Sequence, residues 1–165
     1  MADAQSSIDD QRKYDRIGGW LILCAVGLLL YPVQTAFSLF TEIIPALSEN
    51  NRLLLTSPDS FAYHPLWGPL LIMELVGNAF FLIVSIFVIG FFFTQRKFVP
   101  KLAVVFIASN LIFVGLDYYL ARAILIKADP VNLESMVNFI RTLVASTIWI
   151  SYFLFSKRVK KTFTK

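Results

Sequence analysis

Apolar residues run through this chain in four long blocks, at 17–41, 67–94, 100–126 and 138–155, separated by polar or basic stretches. An α-helix needs roughly 20 apolar residues to cross about 30 Å of hydrocarbon, and each block is close to that length or longer. Hydrocarbon offers no partners to backbone N–H and C=O groups, so such blocks must satisfy their own as helices. The predicted fold class is all-α, an integral membrane four-helix bundle. Residues 16–156 form the membrane domain, 1–15 a disordered polar tail, and 157–165 a basic tail.

Punctuation residues agree with these bounds. Pro100 suits the first turn of the third span, and Asp129-Pro130 reads as an N-cap with proline at N1, starting the fourth helix outside the bilayer. Pro32 falls inside the first span, where it removes one backbone donor and is expected to kink the helix. The longest connection, 42–66, holds Pro45, Pro58 and Pro65, with an apolar set at 43–56 that predicts a short interfacial helix. No GxxxG pattern occurs, so packing through large side chains at left-handed crossings is expected.

Composition supports the same class. Hydrophobic residues make up 57% of the 165 and charged residues 16%, against about 45–50% and about 25% for soluble domains. Too little chain lies outside the spans for a soluble catalytic module. Cys24 is the single cysteine and His64 the single histidine, so no intrachain disulfide forms and a zinc site of the usual kind is not expected. The first block is too long for the apolar core of a cleaved signal peptide, and no small-residue cleavage pattern follows it.

Charge changes the picture by where it falls. Arg12, Lys13, Arg16, Arg96, Lys97, Lys101, Lys157, Arg158, Lys160, Lys161 and Lys165 all lie on one side of the predicted spans. Only Arg52, Arg122, Lys127 and Arg141 lie on the other. Both termini are therefore expected in the cytoplasm, in keeping with an even number of spans. The net charge of +4 sits beside spans, where it meets anionic lipid rather than nucleic acid. The expected partners are the lipid bilayer and either another membrane protein or a second copy of this chain.

Candidate chemistry lies in polar residues at matched depth. Glu74 is seven residues past Trp67, roughly 10 Å along its helix. Asp117 lies a similar distance inside the outer end of the third span, Arg141 about one turn inside the fourth, and Gln34, Thr35 and Ser38 within two turns of the end of the first. Asn78 shares a helix face with Glu74, and Asn110 with Asp117. A charge this deep costs at least ~2.5–3.5 kcal/mol on insertion scales, so these faces should turn inward. Arg141 is expected to pair with Glu74 or Asp117, one acid is expected to carry a proton, and Asn78 and Asn110 are expected to bond across helices. The other half of each span, 21–30, 80–93, 102–108 and 148–155, is almost wholly apolar. His64 reads as a loop residue, and no phosphate-cradling glycine loop, metal-ligating pair or nucleophile elbow is present.

Gly18-Gly19-Trp20-Leu21, Glu74 with Asn78, the Arg96-Lys97-Phe98-Val99-Pro100 turn, Asn110, Asp117 and Arg141 together resemble a known family. So does the ending, with Trp149, Tyr152, Ser156, Arg158, Val159, Lys160, Thr162 and Phe163. The family comprises small four-span bacterial inner-membrane proteins classed as domain of unknown function 2569, and the resemblance covers residues 16–164. It implies the same topology and brings no activity, cofactor or catalytic residue with it. The expected function is that of a non-enzymatic accessory or small-ligand-binding protein. Its polar cup, facing the non-cytoplasmic side, is built from Glu74, Asp117, Arg141, Asn78, Asn110 and Gln34. The alternative is an oligomeric proton- or ion-coupled carrier.

Overall fold

The computed structural model of the chain describes residues 17–60, 63–125 and 133–164. All regular structure among them is helical: α1 Trp20–Ser38, a π turn Leu39–Ile43, α2 Ile44–Ala46, α3 Glu49–Thr56, α4 Trp67–Phe93, α5 Val99–Leu125, α6 Leu133–Phe155 and α7 Lys157–Thr162. Four stretches are long and apolar enough to cross a bilayer, namely Trp20–Ala46, Trp67–Phe93, Val99–Ile124 and Ser135–Phe155. Large apolar side chains cover their outer faces, among them Phe37, Ile72, Phe87 and Ile112, all more than 60% exposed. Water would not tolerate so continuous an apolar surface, whereas lipid does. The chain is a multi-pass helical membrane protein. The polar tail 1–15 and the Asp129-Pro130 cap lie outside the described residues.

The first span is longer than hydropathy implies. Its helix passes through Pro32 and, by way of the π turn, continues to Ala46 rather than ending at Thr41. In that turn the Ile44 N–H bonds the Leu39 carbonyl. A π turn inserts one residue, rotating later positions by about 100° relative to an unbroken α-helix. The interfacial helix expected over 43–56 is thereby shortened to α3.

Consecutive spans pack side by side, α1 on α4, α4 on α5 and α5 on α6, while α1 and α6 share no comparable seam. The end of the bundle that carries both ends of the described chain, here called the base, is closed by an apolar cluster. Leu21, Phe92, Val99, Phe153, Val159 and Phe163 are each at most 4% exposed there. The basic C-terminal segment contributes to this seal as a helix. The Ser156 hydroxyl caps α7 by accepting from the Val159 N–H at 3.4 Å, and Val159, Thr162 and Phe163 turn into the bundle. Gly19, with φ of 61°, starts α1 in a left-handed conformation, and a side chain there would meet the Arg158 guanidinium at 3.2 Å.

Midway up, aromatic rings hold the first three spans together. Phe81 meets Phe106 and Phe113 at centroid distances of 5.8 and 5.3 Å, and Tyr31 stands edge-on to Phe106 at 5.4 Å. A small residue makes this possible, contrary to the expectation of large side chains alone. A Cβ added at Gly77 would fall 2.1 Å from the Phe113 ring, so only glycine lets α4 and α5 approach this closely. Gly77→Ala is therefore expected to destabilise the bundle by about 1–3 kcal/mol, the usual cost of overpacking. Gly90, where an added Cβ meets nothing within 4 Å, should accept alanine with no loss. Thermal unfolding of the two variants in detergent, side by side, checks the pair.

Candidate functional site

Above the base, the missing seam between α1 and α6 leaves a chamber of about 1080 Å³, walled by the first, third and fourth spans with Asn78 from the second. Its lining changes character along its length. Near the base it is formed by Cys24, Leu28, Ala103, Ile107 and Phe153; towards the top it is formed by Gln34, Glu42, Asp117, Asn138 and Arg141. Five of the six residues expected to form a polar cup, Gln34, Asn78, Asn110, Asp117 and Arg141, line this one space. Glu74 does not line it and stands behind, with its carboxyl in hydrogen-bonding reach of that of Asp117.

The pairing among these groups differs from the expected one. No ion pair joins Arg141 to Glu74 or Asp117, and Arg141 bonds no other described residue. The two acids face each other instead, at the contact between α4 and α5, while Arg141 lines the chamber from α6 and is exposed. Carboxylates have only acceptor atoms, so a hydrogen bond between two such groups requires a proton on one of them. Asp117 Oδ1 is buried and finds no protein donor.

The two asparagines also part ways. Asn110 does cross between helices, its amide donating to the Tyr31 hydroxyl at 2.7 Å, and so ties the third span to the first. Asn78 turns back, donating to the Glu74 carbonyl one turn earlier at 2.8 Å. Thr35 and Thr147 likewise bond carbonyls of their own helices, at 2.9 and 2.8 Å. His64 stays in its loop, where Nδ1 accepts from the Leu66 N–H at 3.2 Å.

Two contributors escaped the sequence. Tyr31, next to Pro32, reads as an aromatic in an apolar run and gives no sign that its hydroxyl meets Asn110. Glu42 falls just beyond the expected end of the first span, and the continuing helix brings it to the chamber, with its Oε2 accepting from the Ser38 hydroxyl at 2.5 Å. Among the described residues no cluster of His, Cys, Asp and Glu is arranged to hold a metal ion.

Fold and chamber define a small multi-pass helical membrane protein with polar side chains gathered at one end of an internal space. The chain belongs to the family described as Protein of unknown function (DUF2569), which it matches over residues 14–164. The resemblance carried by its opening, middle and closing motifs is thereby borne out. Neither a curated protein nor a solved structure matches it.

The Asn110–Tyr31 bond should be measurable as a coupling between spans. Tyr31→Phe strands the Asn110 amide at depth and is expected to cost about 1–3 kcal/mol, whereas adding Asn110→Leu should recover part of that loss. A double-mutant cycle read by unfolding in detergent would show coupling of about 1 kcal/mol.

Proposed function

We propose that this protein is a non-enzymatic membrane protein that binds a small polar or charged group in the upper chamber. It would act alone or as an accessory subunit to another membrane protein. The observation that carries this reading is convergence: the first, third and fourth spans send polar groups to one end of one space that Asn78 of the second also lines, and Arg141 there has no partner among the described residues. Arg141 is exposed at that end, so its guanidinium is open to an anionic group from outside the chain. Asp117 and Glu42 supply negative charge, Arg141 positive charge, and Asn78, Asn110 and Gln34 hydrogen-bonding groups. Glu74 positions Asp117 from behind.

The charge asymmetry of the loops supports a bacterial inner-membrane location with both termini cytoplasmic and the cup facing outward. Cysteine accessibility tests the orientation and the cup together. With Cys24 replaced by alanine, Gln34→Cys and Arg141→Cys should each react with a membrane-impermeant maleimide applied to intact spheroplasts. Absence of labelling from that side, with labelling in inverted vesicles, would reverse the orientation; no labelling from either side would remove the cup.

One observation favours a second reading. A carboxyl pair at hydrogen-bonding reach is also what a proton-coupled carrier uses, and such a carrier of four spans would have to oligomerise. The sealed apolar base argues against a complete path through one copy. Reconstituted liposomes are expected to show no flux driven by a pH gradient, and Glu74→Gln no difference from the wild type. A Glu74-dependent flux would install the carrier in place of the binding protein.

A further inference from the structure

We propose that the ligand of this chamber is a single amphiphile with a zwitterionic headgroup, an acyl-chain lipid that enters sideways from the bilayer between the first and fourth spans. The inference rests on the proposed binding role and names the class of ligand. It starts from the lining. From Asp117 down to Ala103 is fourteen residues of one helix, or roughly 21 Å of depth. One leaflet's chains cover about half of the roughly 30 Å hydrocarbon core, so the shaft has room for one along its length.

Water is a poor occupant of the lower shaft. At about 30 Å³ each, some 36 molecules would fill the 1080 Å³. Each needs two to four polar partners, and Leu28, Ala103, Ile107 and Phe153 offer none. Apolar walls of this kind are filled by hydrocarbon or stay empty. The supply is adjacent, because α1 and α6 share no packed seam. Val33 and Phe37 line the chamber and are also 65% and 66% exposed, so the lining runs continuously onto the lipid-facing surface. The base cluster then stops a chain from passing through, which makes the space a blind slot rather than a channel.

The upper end selects the headgroup. Arg141 meets no anion among the described residues, and a guanidinium fits phosphate or carboxylate oxygens in a fork. Asp117 on α5, with one buried oxygen lacking a donor, and Glu42 on the first span line the same upper end and suit an ammonium group. Opposite charges lining the same end of one space match a headgroup that carries both, as an aminophospholipid does. A purely anionic headgroup would leave the acids without a partner and set them against like charge.

Equilibrium binding to the full chain, delipidated in a maltoside detergent and read by native mass spectrometry, tests this. Three probes are used: palmitoyl-lysophosphatidylethanolamine, palmitoyl-lysophosphatidylglycerol and free phosphoethanolamine. The first is expected to bind, with the second about tenfold weaker and the third not retained. Arg141→Gln and Asp117→Asn should each weaken the first by about ten- to hundredfold, as expected for loss of a charge-assisted contact. Gly27→Leu projects into the shaft, where an added Cβ meets nothing within 4 Å, and should lower retention similarly while leaving the unfolding temperature unchanged. If either charge variant fails to fold, Gly27→Leu still decides.

Equal binding of the two lysolipids, indifferent to Asp117→Asn, would overturn the headgroup assignment. Phosphoethanolamine binding as tightly as its lysolipid, sensitive to Asp117→Asn and indifferent to Gly27→Leu, would overturn the amphiphile while keeping the polar cup. Retention of no probe overturns the amphiphile as well, and maleimide labelling then decides separately whether the cup survives.

Discussion

The shape of this molecule depends on its being sealed at one end only. Inside a bilayer the tails are as apolar as the helices, so no hydrophobic effect pulls spans together and close packing must do it. Close packing among all four spans is concentrated at the base, where Leu21, Phe92, Val99 and Phe153 meet and α7 wedges Val159 and Phe163 between them. Further up, the first span is joined to the second and third through Tyr31, Phe81 and Phe106, and the fourth to the third through the stacked rings of Tyr118 and Phe139 at 5.2 Å. The first and fourth spans are each tied to the third but share no seam of their own above the base, and the chamber is the space left between them.

That space also resolves an energetic difficulty. Polar groups two turns deep must be paired, wetted or given a ligand. The protein pairs most of them within itself: Asn110 with Tyr31, Asn78 with a backbone carbonyl, Glu42 with Ser38, and Glu74 against Asp117. Groups left without a partner among the described residues at the upper chamber include the Arg141 guanidinium, the Gln34 amide and one Asp117 carboxyl oxygen. Arg141 is exposed and only Asp117 is partly buried, so the guanidinium stays open to whatever enters the chamber.

The four spans were legible because bilayer thickness turns length into structure, and a mostly apolar run of 27 residues such as 67–93 has few other fates. Depth was legible for the same reason: a helix rises by a fixed amount per residue, so Glu74, Asp117 and Arg141 could be ranked from the span ends. Azimuth was not. Both α4 and α6 pack on α5, so whether Arg141 or Glu74 meets Asp117 depends on helix rotation, and spacing gave no sign of the close α4–α5 approach at Gly77. The end of the first span was misplaced because Thr41-Glu42 and Pro45 look like loop onset. A π turn instead carries the helix past them, and with it Glu42 to the chamber. The closing basic segment hid its helix because its charges advertise a tail, while only Val159, Thr162 and Phe163 reveal the buried stripe.

The residues that carry the family resemblance divide along the same line. Gly19 and Leu21 from the opening meet Arg158, Val159 and Phe163 from the ending, so the two motifs farthest apart in sequence are one structural feature, the base seal. Packing accounts for them: the left-handed φ of Gly19, the approach of Arg158, and a shared apolar cluster. Packing does not account in the same way for Asn78, Asp117 and Arg141, which line a space rather than fill one. Asp117, partly buried with one oxygen lacking a donor, is costly to hold at that depth, whereas Arg141 is exposed. Neither Arg141 nor the Asp117 Oδ1 meets a partner among the described residues, and the reading proposed above assigns both to a group from outside the chain, entering at the mouth between the first and fourth spans.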